Sequence, residues 1–363
     1  MKRIKIGVVG CGAIAQVHHL PTLIDLHEQF AVTCVCDVSA GAAQYVAEKF
    51  AVPRWVTDYR DLLSSDIDAV LLCHSDPKTE AALAALNAGK HLLIEKPVCF
   101  SLQELDALLA AQRAAGVVAQ AGYMKLYDPA YELAKRQVET MDGVRFVQIN
   151  HLHPNNALHL AQFDIRSFND IPETAGEQRR QALAAARQEA IGEAPPHVER
   201  AFHLLAGSMI HDIYGLREML GMPARVVSVE IWLEGRAITF VLEYGPDSSA
   251  PGARAVATWV DLPDLWDFRE TLEIYGDDRR VSLSYPTGFA RGILSEVVVQ
   301  GIDAEGMACR IQPAVAWETA FRRELRHFAD SIHGNAEPRA PLSSARDDIA
   351  LIIDIIKKAQ DAE

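Results

Sequence analysis

The stretch Ile4-Lys5-Ile6-Gly7-Val8-Val9-Gly10-Cys11-Gly12-Ala13-Ile14-Ala15 sets a short apolar strand directly against a glycine-rich turn and the start of a helical pattern. A dinucleotide-binding fingerprint needs that order: Gly10 for the tight turn, Gly12 so that backbone can approach a pyrophosphate, and helix N–H groups to hold its charge. Cys11, Ala13 and Ile14 complete the turn. Ala15 stands at the third glycine position, a tolerated change where helix and strand pack closely. The next strand-like run, Val32–Cys36, leads into Asp37, 27 residues after Gly10, where a carboxylate can bind the adenosine ribose hydroxyls. Asp37 also suits a turn or helix N-cap, and both roles can hold at once. A carboxylate there repels a 2′-phosphate, and Val38-Ser39-Ala40-Gly41 supplies no Arg or Lys to accommodate one, so the pattern favours NAD, with NADP the less favoured cofactor.

Working outward, further strand-like runs at Ala69–Cys73, His91–Ile94 and Val117–Ala121 alternate with helical patterns at Thr79–Ala88 and Leu102–Ala115, the second closed by Gly116. Alternation of this kind predicts βαβ units and a doubly wound parallel sheet, a Rossmann domain over about residues 1–125. The remainder, 126–363, reads as an α+β domain. A helix at Pro129–Glu139 leads to a strand at Val144–His151 and then to a charged, helix-prone insertion at about 156–205. Gln178–Ala190 is its clearest helix and Pro195-Pro196 its break; it reads either as a cover over the pocket mouth or as a peripheral decoration. Strand-like runs follow at Val226–Leu233, Ala237–Tyr244, Ala255–Val260, Arg269–Tyr275, Val281–Tyr285 and Ile293–Gln300, with a hairpin signal at Gly276-Asp277-Asp278. They predict a large, mostly antiparallel open sheet covered by helices on one face, whose other face is wet or pairs with another subunit as a homodimer or homotetramer. Helices at Trp317–His333 and Ser343–Ala362 close the chain.

Composition narrows the function class. With 49% hydrophobic and 23% charged residues, the 363-residue chain reads as globular and long enough for two domains. A net charge of −14 argues against nucleic acid as a partner, since phosphate backbones are bound by clustered Lys and Arg. The first strand begins almost at once, without an apolar signal segment, and no apolar run approaches the ~18 residues that span a bilayer. The six cysteines are scattered, without a second Cys/His pair at metal spacing, and read as reduced thiols of a cytoplasmic protein.

Glu95-Lys96-Pro97 follows the strand His91–Ile94 and so sits at a strand's carboxyl end, where open α/β sheets bind ligands. Lys96 there can lie near a nicotinamide and hydrogen-bond a substrate hydroxyl, with Glu95 tuning its proton affinity and Pro97 fixing the backbone. Taken alone, a Lys beside a Glu at a strand end reads as a surface pair. Several pieces together resemble the Gfo/Idh/MocA family: the fingerprint Gly10–Ala15, Ala88-Gly89-Lys90-His91 leading into Glu95-Lys96-Pro97, Gly122-Tyr123-Met124-Lys125 before Asp128-Pro129, and Gly207-Ser208-Met209-Ile210-His211-Asp212 closed by Leu220-Gly221. The resemblance implies reversible hydride transfer between a nicotinamide and a carbinol carbon of a sugar, cyclitol or related polyol. It implies that Lys96 binds the substrate oxygen and assists proton transfer, and that His211 is the acid/base group, a role suited to imidazole near neutral pH.

The chain departs from the family pattern at Gly207 and Tyr214, where Asp residues are usual, and at His74-Ser75-Asp76, where Thr-Pro-Asn is typical. His74 remains a candidate at the cofactor. Asp212 points elsewhere on a helix and cannot simply substitute for the missing Asp. Further substrate candidates are Lys125, after the fifth Rossmann strand, and His151, His153 and Asn155 beside Asn156; the His151-x-His153 spacing permits a metal, but hydride transfer needs none and none is expected. The competing reading is a dinucleotide-binding sensor or regulatory protein that kept the fold and lost the chemistry, favoured by Gly207 and disfavoured by the retained Lys96 and His211.

Overall fold

The computed structural model describes residues 2–361. The chain forms two compact units: residues 1–124, 160–192 and 321–349 make the first, and 125–159, 193–320 and 350–363 the second. A single boundary at residue 125 therefore does not describe the chain. The segments 160–192 and 321–349 lie far along the sequence yet pack with the first sheet.

In the first unit the strands β1 (Ile4–Val9), β2 (Phe30–Cys36), β3 (Trp55–Val56), β4 (Ala69–Leu72), β5 (His91–Glu95) and β6 (Ala119–Gly122) form a parallel sheet in the order β3-β2-β1-β4-β5-β6. The order reverses between β2 and β4 around β1, which opens a crevice at the carboxyl ends of the strands. β4 is buried along its whole length and β5 at all but its first residue, as a sheet covered on both faces requires. The helix Leu102–Ala115 begins in a full capping box, Ser101 with Glu104, and ends at Gly116 with φ +64°, a conformation glycine adopts without steric cost. Leu325, Phe328 and Ala329, from the helix Ala320–Ile332, complete the core around Ile4, Ile6 and Val8.

The second unit carries β7 (Phe146–His153), β8 (Arg225–Trp232), β9 (Ala237–Glu243), β10 (Arg254–Asp261), β11 (Arg269–Tyr275), β12 (Arg279–Tyr285), β13 (Glu296–Ile302) and β14 (Ala308–Ile311) in one sheet, ordered β14-β13-β12-β11-β7-β10-β9-β8. Only β7 and β10 run parallel. The hairpin at Gly276 joins β11 to β12 as the sequence predicts, while the short β3 and β14 give no sequence signal of their own. Alternation sorts the faces: Val147, Ile149, Ala255, Ala257, Leu272, Ile274, Val281 and Leu283 are buried, and the residues between them are mostly half-exposed. The helices Pro129–Glu139 and Ile210–Leu220 pack against each other, and the Tyr131 hydroxyl donates to the Gly215 carbonyl at 2.9 Å.

The insertion is helical at Asn156–Leu160, Glu173–Ile191 and Pro196–Leu204. Its long helix is fastened to the first unit: Arg179 donates to the Asp76 carbonyl at 2.9 Å, and the Ser101 hydroxyl donates to Glu189 at 2.5 Å. The closing helix runs Ala345–Gln360; Ala362, the expected last residue of that helix, lies outside the described residues.

Candidate active site

In the first unit Gly10 takes φ +99°, and a Cβ added there would come within 2.3 Å of the His74 backbone nitrogen, so β1 and the end of β4 meet over a glycine that no other residue can replace without shifting backbone. At Gly12 an added Cβ would meet nothing within 4 Å; the turn presents open space there, as approach by a pyrophosphate requires. Ala13 and Ile14 start the helix, and Ala15 is wholly buried in the core, where a small side chain satisfies the packing that a third glycine would serve. Asp37 caps the turn: its Oδ2 accepts the Cys11 N–H at 2.8 Å and its Oδ1 the Ser39 N–H at 2.9 Å. A carboxylate has about four lone-pair sites, so ribose hydroxyls can still be accepted.

His74 lines the same corner. Burial, with Lys78 and Arg179 nearby, pushes its imidazole down to about 4, so it is neutral at physiological pH. Glu95, at the end of β5, is buried and 2.7 Å from Nε2 of His19. Burial alone would raise its carboxyl, but the His19 hydrogen bond and the charges of His19, Lys96 and Lys78 outweigh that and hold it below the ordinary carboxylate range. Its Oε2 accepts the Lys96 N–H at 3.1 Å, the half-buried Lys96 follows, and the Lys96–Pro97 bond is cis. His19 and Lys78 are partners that sequence reading passes over. Lys78 is buried, paired with Asp76, and donates to the Pro97 carbonyl at 3.3 Å. His19 stands nearly two turns into the fingerprint helix, on a π-helical segment, Ala15–His19, of the sort that recurs at functional sites and that shows only in the structure.

The second unit builds its polar centre from one row of the sheet. Trp259 and Glu270 both pair with His151 across the ladders, and Tyr285 pairs with Glu270, so the four side chains stand side by side on the buried face. Above them comes the helix Ile210–Leu220. Asp212 Oδ2 lies 2.9 Å from Nδ1 of His151, and Ser208 Oγ lies 3.4 Å from Nε2 of His151 while accepting the Trp259 indole N–H at 3.0 Å. Lys125 forms a buried ion pair with Glu270, and its ammonium sits 4.2 Å from the Tyr285 ring centroid. Burial raises the Glu270 carboxyl, Asp212 adds to the rise, and Lys125 offsets only part of it. The ligand atoms of His151, Asp212 and Glu270 lie within 4.8 Å of one another, close enough to meet at a metal. Lys125 already supplies a positive charge to that carboxylate set.

His211 is held by Tyr214, whose hydroxyl lies 2.7 Å from Nδ1. The Lys125 backbone N–H donates to that same hydroxyl at 3.3 Å, so Lys125 and His211 share one hydrogen-bonded group, and Glu270, the ion-pair partner of Lys125, lies within 4.8 Å of the ligand atoms of His151 and Asp212. His153 stacks on Trp259, with ring centroids 5.7 Å apart, and burial beside His151 pushes it down to about 4. Asn155 stands apart: it is exposed, and its side-chain oxygen accepts the Ala157 N–H at the start of a short helix. Glu270, Tyr285 and Trp259 were not singled out from sequence. Each is in period-two phase with buried neighbours, Leu272 and Ile274, Val281 and Leu283, Ala255 and Ala257, and a charge in such a row is a signal in itself.

Residues 4–123 match the model of a family described as an oxidoreductase family with an NAD-binding Rossmann fold, Gfo/Idh/MocA. The uncharacterised oxidoreductase YrbE of Bacillus subtilis is 35% identical over 144 residues, 38% of this chain and 40% of that protein. An inositol 2-dehydrogenase of Salmonella paratyphi B is 30% identical over 156 residues, 42% of this chain and 46% of that protein. The similarity thus spans less than half the length of these curated relatives. Across 100% of the chain, a Desulfitobacterium hafniense protein assigned as an NADPH-dependent oxidoreductase superposes with a TM-score of 0.77 over 97% of its own length, at 15% identity, a likeness of fold. No helix among the described residues is long and apolar enough to cross a membrane. Over residues 4–123 the chain thus resembles in sequence the NAD-binding Rossmann domain of the Gfo/Idh/MocA oxidoreductase family, and its likeness to the solved structure is one of fold.

Proposed function

We propose that the protein is a nicotinamide-dependent dehydrogenase or reductase acting on a hydroxyl or ketone carbon of a sugar, cyclitol or related polyol. Gly10–Ala15 and Asp37 hold the dinucleotide, with His74, Glu95, Lys96 and Pro97 lining its corner, and Asp37 favours NAD. Bound there, the nicotinamide supplies or takes up a hydride. Lys96 binds the substrate oxygen, and Glu95, hydrogen-bonded to His19, accepts the Lys96 backbone N–H and fixes the turn that carries it. His211 moves the proton, and its Nδ1 is engaged by Tyr214, which fixes the ring for exchange through Nε2. Lys125, His151 and His153 form the polar wall that meets the substrate's other hydroxyls, with Asn155 at its exposed margin.

The observation that carries this reading is the His211–Tyr214 contact at 2.7 Å. A sensor that had lost its chemistry needs neither an oriented imidazole nor a retained Lys96. The inositol 2-dehydrogenase relative supports the substrate class. Five buried cysteines carried as thiols support a cytoplasmic setting. The half-exposed face of the second sheet, with Thr239 and Thr258 bonded across it at 3.0 Å, supports pairing with a second copy as a dimer or tetramer.

The test is Lys96→Met, assayed for reduced-nicotinamide absorbance against a panel of sugars, cyclitols and their keto forms. Turnover should fall by about a hundredfold or more while NAD binding stays close to wild type. Undiminished turnover would remove Lys96 from the chemistry, and tight NAD binding without turnover on any panel member would favour the sensor.

A further inference from the structure

The insertion's leading stretch, Asp164–Asp170, is laid along the first unit where β2 ends. Asp170 anchors it: the Ser39 hydroxyl donates to Oδ1, and the Gly41 backbone N–H donates to Oδ2 at 2.8 Å. Phe168 packs on Gly41, where an added Cβ would come within 2.6 Å of its ring, and tilts against Tyr45 with centroids 5.9 Å apart. Arg166 lies over the Tyr45 ring at 4.7 Å from its centroid, and its backbone meets Gln16, whose amide also donates to the Cys11 carbonyl at 2.8 Å. The strap therefore reaches from the glycine turn to the start of the helix Ala40–Lys49.

In a dinucleotide fold, a phosphate on the 2′ position of the adenosine ribose lands beside the acid that ends β2 and is taken by the donors that follow it. A helix start favours an anion there. In this chain Ser39 Oγ–H and Gly41 N–H are those donors, and both are given to the Asp170 carboxylate. Asp37 meanwhile takes the Ser39 N–H.

We infer that Asp170 is a specificity-determining residue: its carboxylate fills the place of a 2′-phosphate at the Ser39–Gly41 helix start and restricts the protein to NAD. This rests on the reading that the first unit binds a nicotinamide dinucleotide. Asp37 works against a 2′-phosphate by charge alone; Asp170 adds occupancy, because a phosphate would have to displace it from its two donors. Arg166, on the same strap and over the Tyr45 ring, offers a cation to the phosphate once Asp170 is gone.

The experiment measures calorimetric binding of NAD, NADP and 2′,5′-ADP to the full chain and to its Asp170→Ala and Asp170→Asn variants. Asp170 is exposed, which favours folding of both variants. The wild type should prefer NAD, and both variants should gain about tenfold or more in NADP affinity relative to NAD and acquire 2′,5′-ADP binding. NAD binding with an NADP-to-NAD ratio unmoved in both variants would overturn the inference and leave the cofactor reading standing. A wild type that binds NADP as tightly as NAD would also overturn it. Failure of the wild type to bind either dinucleotide would overturn both.

Discussion

The Tyr214 hydroxyl lies 2.7 Å from Nδ1 of His211, at a position where the family resemblance leads one to expect a carboxylate. A phenol and a carboxylate both orient an imidazole, but they differ in charge. A carboxylate favours the imidazolium and raises its pKa, whereas a neutral phenol orients the ring without that bias. Tyr214 is wholly buried and also takes the Lys125 N–H, so its position is fixed from two sides.

Tyr214→Phe keeps the ring and removes the hydroxyl. Turnover should fall by about ten- to a hundredfold, as expected for a misoriented acid/base group. The pH–rate profile should move as well, which a purely structural loss would not produce, while NAD affinity stays unchanged. A variant with wild-type turnover and an unshifted profile would show that Tyr214 does not position His211.

The Lys125–Glu270 pair makes a stability prediction with a built-in control. Both side chains are buried, so Lys125→Met leaves an uncompensated carboxylate and should cost about 3–5 kcal/mol, unless Glu270 takes up a proton. Adding Glu270→Gln removes that charge, and the double variant should recover most of the loss in a denaturant titration. Equal stability of the single and double variants would show that the pair is not electrostatically coupled.

Glu324 predicts a pH dependence. It is wholly buried, and neither carboxyl oxygen has a hydrogen-bond partner among the described residues. Burial pushes its carboxyl well above the usual range, and Glu95 adds to the rise. The folded chain therefore holds a proton that the unfolded chain releases above about pH 4.3. The stability this contributes is complete below that pH and is lost as pH rises toward the folded value. Glu324→Gln is neutral throughout, so its melting temperature should gain on wild type between pH 5 and 8 by several degrees. A difference that stays constant across the range would show Glu324 ionised in the folded protein.

The first sheet was legible because its signals are local: a glycine turn fixed by one strand, apolar runs of four to six residues, and a capping box at Ser101. Lys96 and Asp37 were legible because each ends a strand whose place in the sheet follows from the fingerprint. Glu270 was not recognised, although its phase with Leu272 and Ile274 was available, because its role depends on Lys125, 145 residues away. His19 needed Glu95 and Tyr214 needed His211 to be seen as partners. Asp170 was invisible for a stronger reason. Nothing within a charged insertion distinguishes the one carboxylate that reaches Ser39 and Gly41 from its neighbours.

Leu325, Phe328 and Ala329 close the core around β1, and Asp170 meets the end of β2, so the first sheet is finished by pieces encoded long after it. At roughly 5–20 residues per second, a ribosome takes tens of seconds to pass from β6 to the helix Ala320–Ile332. Throughout that interval the nascent sheet waits with an apolar flank uncovered. Truncation after residue 125 would leave the same flank open permanently, so a gene fragment ending there should yield an aggregating chain rather than a portable nucleotide-binding module.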